Sequence, residues 1–197
     1  MSLEKQTAFE AIRREALEDT QLPLRETANN LVLGHGSLDA EIIFIGEAPG
    51  KNEDLLGLPF IGAAGKALDK LLQSINLKRE DVFISSVVHY RPPKNRQPKP
   101  LEIKAFEKYI DGIIEIIDPK IIATLGNISL NKFLPGEKIS DVHGKPQEII
   151  FQGKKYILIP LYHPAAVLYK RTLEKDLEND FKEIRKQLNS KSRLPLR

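Results

Sequence analysis

A chain of 197 residues with 41% hydrophobic content is long enough to bury a sizeable core without covalent staples. It contains no cysteine, which excludes disulfides, thiolate-held zinc, a thiol nucleophile and a cysteine-ligated iron–sulfur cluster. The net charge of +3 permits a nucleic-acid partner without pointing to one, because local clustering of cations matters more than their sum. The histidines His35, His89, His143 and His163 lack the spacing of a metal cage, so no metal is expected. The first residues are highly charged, with no apolar run of signal-peptide length, and no stretch nears the roughly 18 apolar residues of a membrane span. A cytoplasmic protein is the expectation.

In chain order, Leu3, Ala8, Phe9, Ile12, Ala16 and Leu17 recur at helical spacing over residues 3–18. Glu41–Gly46 is a short β-rich run ending at a glycine, the pattern of a buried strand. Ala63–Asn76 reads as a helix with Ala67, Leu68, Leu71, Leu72 and Ile75 on one side, and Asp81–Val88 as a second strand. Pro100 suits a helix start, and Ile103, Phe106, Ile110, Ile113, Ile114 and Ile117 carry that helix to Pro119. Lys120–Gly126 is a third strand, after which Asn127 is a candidate N-cap for a short helix ending near Gly136. Gln147–Gln152 and Lys155–Pro160, joined through Gly153-Lys154, predict a hairpin. A charged amphipathic helix follows from about Arg171 to Asn189, and the last eight residues are expected to fray.

Strands alternating with helices predict an α/β fold with a mainly parallel sheet. Ligands of such sheets bind beyond the carboxyl ends of the strands, so chemistry is sought just after Ile45, Val88, Leu125 and Ile159. The first strand runs into Gly46-Glu47-Ala48-Pro49-Gly50, and the first crossover helix opens at Gly57–Lys66. There, backbone amides and Lys66 could hold a phosphate, although the motif taken alone reads first as a tight strand-to-helix connection without a ligand and fits neither nucleotide-binding fingerprint. After the last strand comes Tyr162–Leu168, with His163 at a strand's carboxyl end on the same rim as Glu47; a lone histidine is otherwise a structural one. Arg91–Pro100 concentrates four cations among four prolines, which suits phosphate contacts or a stiff solvated connection, and Lys170-Arg171 adds positive charge beside His163.

Taken together and in order, GEAPG, Glu53-Asp54, Gly57–Leu68, Ser85–Arg96, His143–Pro146 and Tyr162–Leu168 resemble the uracil-DNA glycosylase superfamily, most closely its family-4 enzymes, over about residues 20–170. The resemblance implies a three-layer α/β/α sandwich around a central, mainly parallel four-stranded sheet. It would form a single domain over residues 1–197, with a core of about 20–170 and a C-terminal helix of about 171–189. It implies a pocket for a base flipped out of DNA. Phe60 would stack on that base, and Gly46, Glu47 and Ala48 would line the pocket and the place of the attacking water. Ser86 would meet the base edge, and His163 would donate to the base O2 as charge develops there, a donor worth roughly 2.7–4 kcal/mol. Ala165, Ala166, Val167 and Leu168 would enter the minor groove. Gly62, Lys66, Arg91, Lys94, Asn95, Arg96, Lys170 and Arg171 would contact the rest of the DNA. No lysine is among these pocket residues, which argues against a Schiff-base lyase step.

The chain also departs from the family. Family-4 enzymes hold an iron–sulfur cluster on four cysteines; aligning the motifs puts Asp19, Leu22, Tyr90 and Phe106 there, which implies a hydrophobic plug and no cofactor. The family's asparagine at the second strand's end is Ser86, whose hydroxyl cannot present a donor and an acceptor together as an amide does. The family's arginine after the histidine loop is displaced, with Tyr169 in its place. The leading expectation is a monofunctional glycosylase for uracil or another deaminated base, with damaged DNA as partner, other repair proteins as further candidates, and a monomeric state. A DNA-binding lesion sensor or repair-complex subunit with little catalysis, and a nucleotide hydrolase using the same crevice, are the alternatives.

Overall fold

The computed structural model describes residues 3–190. It opens with helix α1 (Leu3–Glu18), the short strand β1 (His35–Gly36), strand β2 (Ile42–Gly46), and helices α2 (Lys51–Leu56) and α3 (Ala63–Ser74). Strand β3 (Phe83–Ser86), helix α4 (Pro100–Ile117), strand β4 (Ile121–Leu125) and helices α5 (Asn127–Phe133) and α6 (Ile139–Val142) follow. The hairpin β5 (Gln147–Phe151) and β6 (Lys154–Leu161), then helices α7 (Ala166–Tyr169) and α8 (Glu174–Asn189), complete the described chain.

The six strands form one sheet in the order β1-β3-β2-β4-β6-β5. Its four middle strands are parallel, as the alternation of strands and helices implies; β1 and β5 add antiparallel edges. Every residue of β2, β3 and β4 is buried, the mark of parallel strands covered on both faces. Ile43 and Ile45 join Phe83 and Ile122 in a core with Ala16 of α1 and Phe106, Ile110 and Ile113 of α4. Ile42 and Phe44 face the other way, onto Leu68 and Leu72 of α3 and Leu177, Phe181 and Ile184 of α8. Each such side chain contributes about 1.5–3 kcal/mol on burial, so both helical layers are held by the period-two alternation of the strands.

Helix ends follow local chemistry. Pro100 opens α4, and Glu102 Oε2 accepts from the Lys99 amide at 2.7 Å, closing its first turn. Lys120 Nζ donates to the carbonyls of Gln187 and Ser190, both at 2.6 Å, at the end of α8. Two sequence expectations shift. Asn127 is the first residue of α5 rather than its cap; Gly126 (φ 94°) takes the cap position, and Asn127 Oδ1 instead accepts from the Ile139 amide at 2.9 Å. The hairpin turns at Gln152-Gly153 (φ 48° and 77°) rather than Gly153-Lys154, because a two-residue turn matching the strand twist needs two left-handed residues. Of the tail expected to fray, residues 191–197 lie outside the described residues.

Register decides where the site falls. Gly46 pairs with Ser86, Ile45 with Thr124, and Leu125 with Leu161, so the carboxyl ends of β2, β3, β4 and β6 finish level on one rim.

Candidate active site

Gly46, Phe60, Ser86, Gly126 and His163 meet on this rim. The Phe60 ring lies 5.6 Å from the His163 ring, tilted by 31°. Gly46 is required by proximity: a Cβ there would stand 2.6 Å from the Phe60 ring and 3.4 Å from Ser86 Oγ. Gly126 plays the matching part below His163, whose Cβ would lie 3.4 Å from an added methyl. Phe60 itself sits at φ 52°, a left-handed backbone that costs a bulky residue about 1–3 kcal/mol and persists only where its surroundings impose it. Such strain gathers at functional sites, and here it turns an aromatic ring across the end of the sheet.

His163 is held as a neutral donor. The Ala165 amide donates to its Nδ1 at 3.2 Å; because an amide can only donate, Nδ1 is the acceptor and the ring proton resides on Nε2. Burial pushes the His163 pKa below its ordinary value, so the imidazole stays neutral at neutral pH. Half-buried Glu47, just past Gly46, has its pKa raised by burial, towards the range where a carboxylate accepts a proton effectively. A neutral N–H donor, an aromatic platform, a hydroxyl and a basic carboxylate at one strand-end rim can hold a flat ring, stabilise negative charge on its edge and activate water.

The expected DNA-contacting residues fall into separate groups. Ala165 precedes the single-turn helix α7, which carries Ala166, Val167 and Leu168 and ends at Tyr169; Leu168 and Tyr169 are exposed, Tyr169 at 91%. Val167, Leu168, Arg171 and Lys66 line one cleft of about 750 Å³ between α3, α7 and α8, which His163 does not line. Lys170, between α7 and Arg171, is exposed. Gly62 is not free to meet a phosphate through its amide: Glu53 Oε1 accepts from the amides of Ile61 and Gly62 at 2.9 and 2.8 Å, so the protein supplies its own anion at the start of α3. Within the basic loop, Arg96 is committed to Glu102 by two charge-assisted bonds, which hold the Glu102 pKa down at about 2. Arg91 donates to Asn95 Oδ1 and faces buried Asp54 at 3.9 Å, while Lys94 is exposed. Asp54, which also accepts from the backbone and side chain of Asn29, ties this loop to α2. Gly126 and the anchoring carboxylates Glu53 and Asp54 were given no role from sequence; a glycine closing the β4 run was the available signal for the first.

The four aligned cluster positions do not fit a metal cluster. Leu22, Tyr90 and Phe106 are buried in the α1/α4 core, and the Tyr90 and Phe106 rings pack edge-on at 6.0 Å. Asp19 Oδ2 accepts from the Tyr109 hydroxyl at 2.8 Å. No thiolate is present anywhere in the chain to ligate iron.

A family model described as the uracil DNA glycosylase superfamily matches residues 33–189. A type-4 uracil-DNA glycosylase from Archaeoglobus fulgidus is 45% identical over 182 residues, covering 90% of this chain and 92% of that protein. One from Sulfurisphaera tokodaii is 46% identical over 184 residues, covering 90% and 84%; one from Thermotoga maritima is 40% identical over 172 residues, covering 86% and 88%. The chain belongs to the uracil DNA glycosylase superfamily, in its type-4 group.

Proposed function

We propose that this protein is a monofunctional DNA glycosylase that flips a deaminated base, uracil first among them, out of DNA and hydrolyses its N-glycosidic bond in base excision repair. The observation that carries the reading is the convergence of Phe60, Ser86 and a neutral, Nε2-protonated His163 around Gly46. The extrahelical base stacks on Phe60. As the bond from the sugar C1′ to the base nitrogen breaks, its electron pair passes to the base, and His163 Nε2–H donates to the O2 that gathers this charge. Water adds to C1′ of the oxocarbenium-like sugar, and Glu47 orients it and takes its proton. No amine nucleophile is required, so hydrolysis leaves an abasic site with the strand intact. The exposed Leu168 on α7 fills the gap left by the base, and Lys66, Lys94, Lys170 and Arg171 meet phosphates. The protein acts as one domain and a monomer, without a cofactor.

The test is incubation of uracil-containing duplexes with the protein, followed by alkali. Strand scission that disappears in His163→Ala supports the enzyme; the absence of scission in every pairing context sinks it. Ser86 favours one second reading. Its lone hydroxyl offers the base edge a weaker pattern than an amide, which suits a binder of several deaminated bases with little excision. Tight binding to lesions without scission is the outcome that reading requires.

A further inference from the structure

The platform residue Phe60 is held by a side chain that never reaches the base. Arg79 lies in the turn (Arg79–Asp81) that leads into β3, the strand delivering Ser86. Its Nη1 donates to the Pro59 carbonyl at 3.1 Å and its Nη2 to the Phe60 carbonyl, while Nε donates to Asp69 Oδ1 of α3 at 2.5 Å. The two successive carbonyls that define the left-handed turn at Phe60 are thus gripped by one planar guanidinium, itself oriented by a carboxylate. Two further features serve the same end. Gly65 lets the Phe60 carbonyl press against the first turn of α3, where an added Cβ would lie 1.6 Å from that oxygen. Just past Phe60 in the chain, Glu53 Oε1 holds the amides of Ile61 and Gly62. Arg79 thus holds the peptide before Phe60 at its carbonyl, and the peptide after it is held at its carbonyl by Arg79 and at its amide by Glu53.

We propose that Arg79 is a positioning residue for the glycosylase reaction: by fixing the Pro59 and Phe60 carbonyls, it keeps Phe60 in the left-handed conformation that presents its ring to the flipped base. A guanidinium fits this task because its donors lie in one rigid plane that reaches both carbonyls and the carboxylate at once, whereas an ammonium's three donors turn about a single bond. Without it, the strained peptide relaxes to an ordinary backbone and the ring leaves the rim. Apparent affinity for the base then falls in proportion to the fraction of molecules still competent.

The inference rests on the glycosylase reading, and the experiment separates the two. Arg79→Ala is expected to weaken inhibition by free uracil, and to lower kcat/KM on uracil-containing DNA, by about tenfold if one molecule in ten keeps the platform. Affinity for undamaged duplex should stay unchanged, because the phosphate contacts lie elsewhere. Guanidinium at low millimolar concentration should restore part of the loss in Arg79→Ala and none in Gly65→Ala; an arginine that merely stabilised the fold would show no rescue. If Arg79→Ala does not fold, Arg79→Lys and Asp69→Asn carry the test, with smaller losses of the same kind. Uracil inhibition within twofold of the parent in all folded variants overturns the proposal. A second readout needs no activity. The chain has no tryptophan, so Phe60→Trp introduces a single indole whose emission and acrylamide quenching report the platform. An unchanged indole on adding Arg79→Ala also overturns the proposal. A parent protein that excises nothing, combined with an indole that does respond, overturns the glycosylase reading and leaves Arg79 in its role.

Discussion

Ser86 and Tyr90 belong to one short run of chain, yet they close two regions of opposite character. Ser86 ends β3 beside Gly46 and the strained Phe60, in a half-open rim where His163 and Glu47 both carry pKa values displaced by burial. Tyr90 packs into a filled core with Phe106 and Leu22, whose backbone is ordinary. The difference teaches where a fold of this kind tolerates substitution. At the Tyr90 side, rings and methyl groups occupy space that needs only to be filled, and any well-packed apolar set serves. At the Ser86 side, each group is constrained by direction, by the tautomer it must hold or by a backbone conformation it would otherwise leave.

Perturbing the packed side most strongly comes first. Phe106→Ala should cost about 3–5 kcal/mol of stability, read by denaturant unfolding, while excision by the remaining folded fraction is kept. Loss of activity without loss of stability would erase the distinction between the two regions. On the other side, His163→Ala should lower single-turnover excision by about 10²–10³ with Tm nearly unchanged. Between them lies His89, fully buried against the Phe106 ring at 5.6 Å, its pKa pushed down to about 3 by burial, with the Val32 backbone a smaller opposing influence. The unfolded chain takes up this proton below its ordinary value of 6.5 and the folded chain does not, so stability falls as pH drops from 6.5 towards 3. By pH 5 the loss should reach about 2 kcal/mol, and His89→Leu should flatten the pH dependence of unfolding over that window. Catalysis should show its own acid limb, set by a Glu47 carboxylate whose pKa burial raises above its ordinary 4.5 and a His163 imidazole whose pKa burial lowers below its ordinary 6.5. Smaller still, Ser86→Asn should sharpen preference for uracil over other deaminated bases by about tenfold or less, the worth of roughly one hydrogen bond. Iron chelators should change neither Tm nor excision; a loss of either would show that the Tyr90 side holds a metal after all.

The parallel centre of the sheet and the helices flanking it were legible because their apolar residues repeat with the right period over long enough runs, as in Ile103–Ile117 and Glu41–Gly46. The edges were not. β1 is only His35–Gly36, too short to carry any alternation, and α2 has one buried residue, Asp54, so no apolar stripe announces it. The positions of Phe60, Ser86 and His163 followed from strand ends and motif order. What no pattern could supply was how the site is braced: Glu53 on the Ile61 and Gly62 amides, Asp54 on Asn29, and Arg96 turned towards Glu102. Charged residues in a loop look alike in sequence whether they face phosphate or one another, and only the pairing distances separate the two.

The bond from the Ala165 amide to His163 Nδ1 spans two residues of a single loop. The histidine's proton is therefore placed by the very segment that leads into α7. If Leu168 enters a duplex as proposed, the segment that carries it also carries the amide that dictates which ring nitrogen is bare. Filling the gap and keeping the proton on Nε2 would then depend on one loop, so a substitution that displaces Ala165 should disturb both.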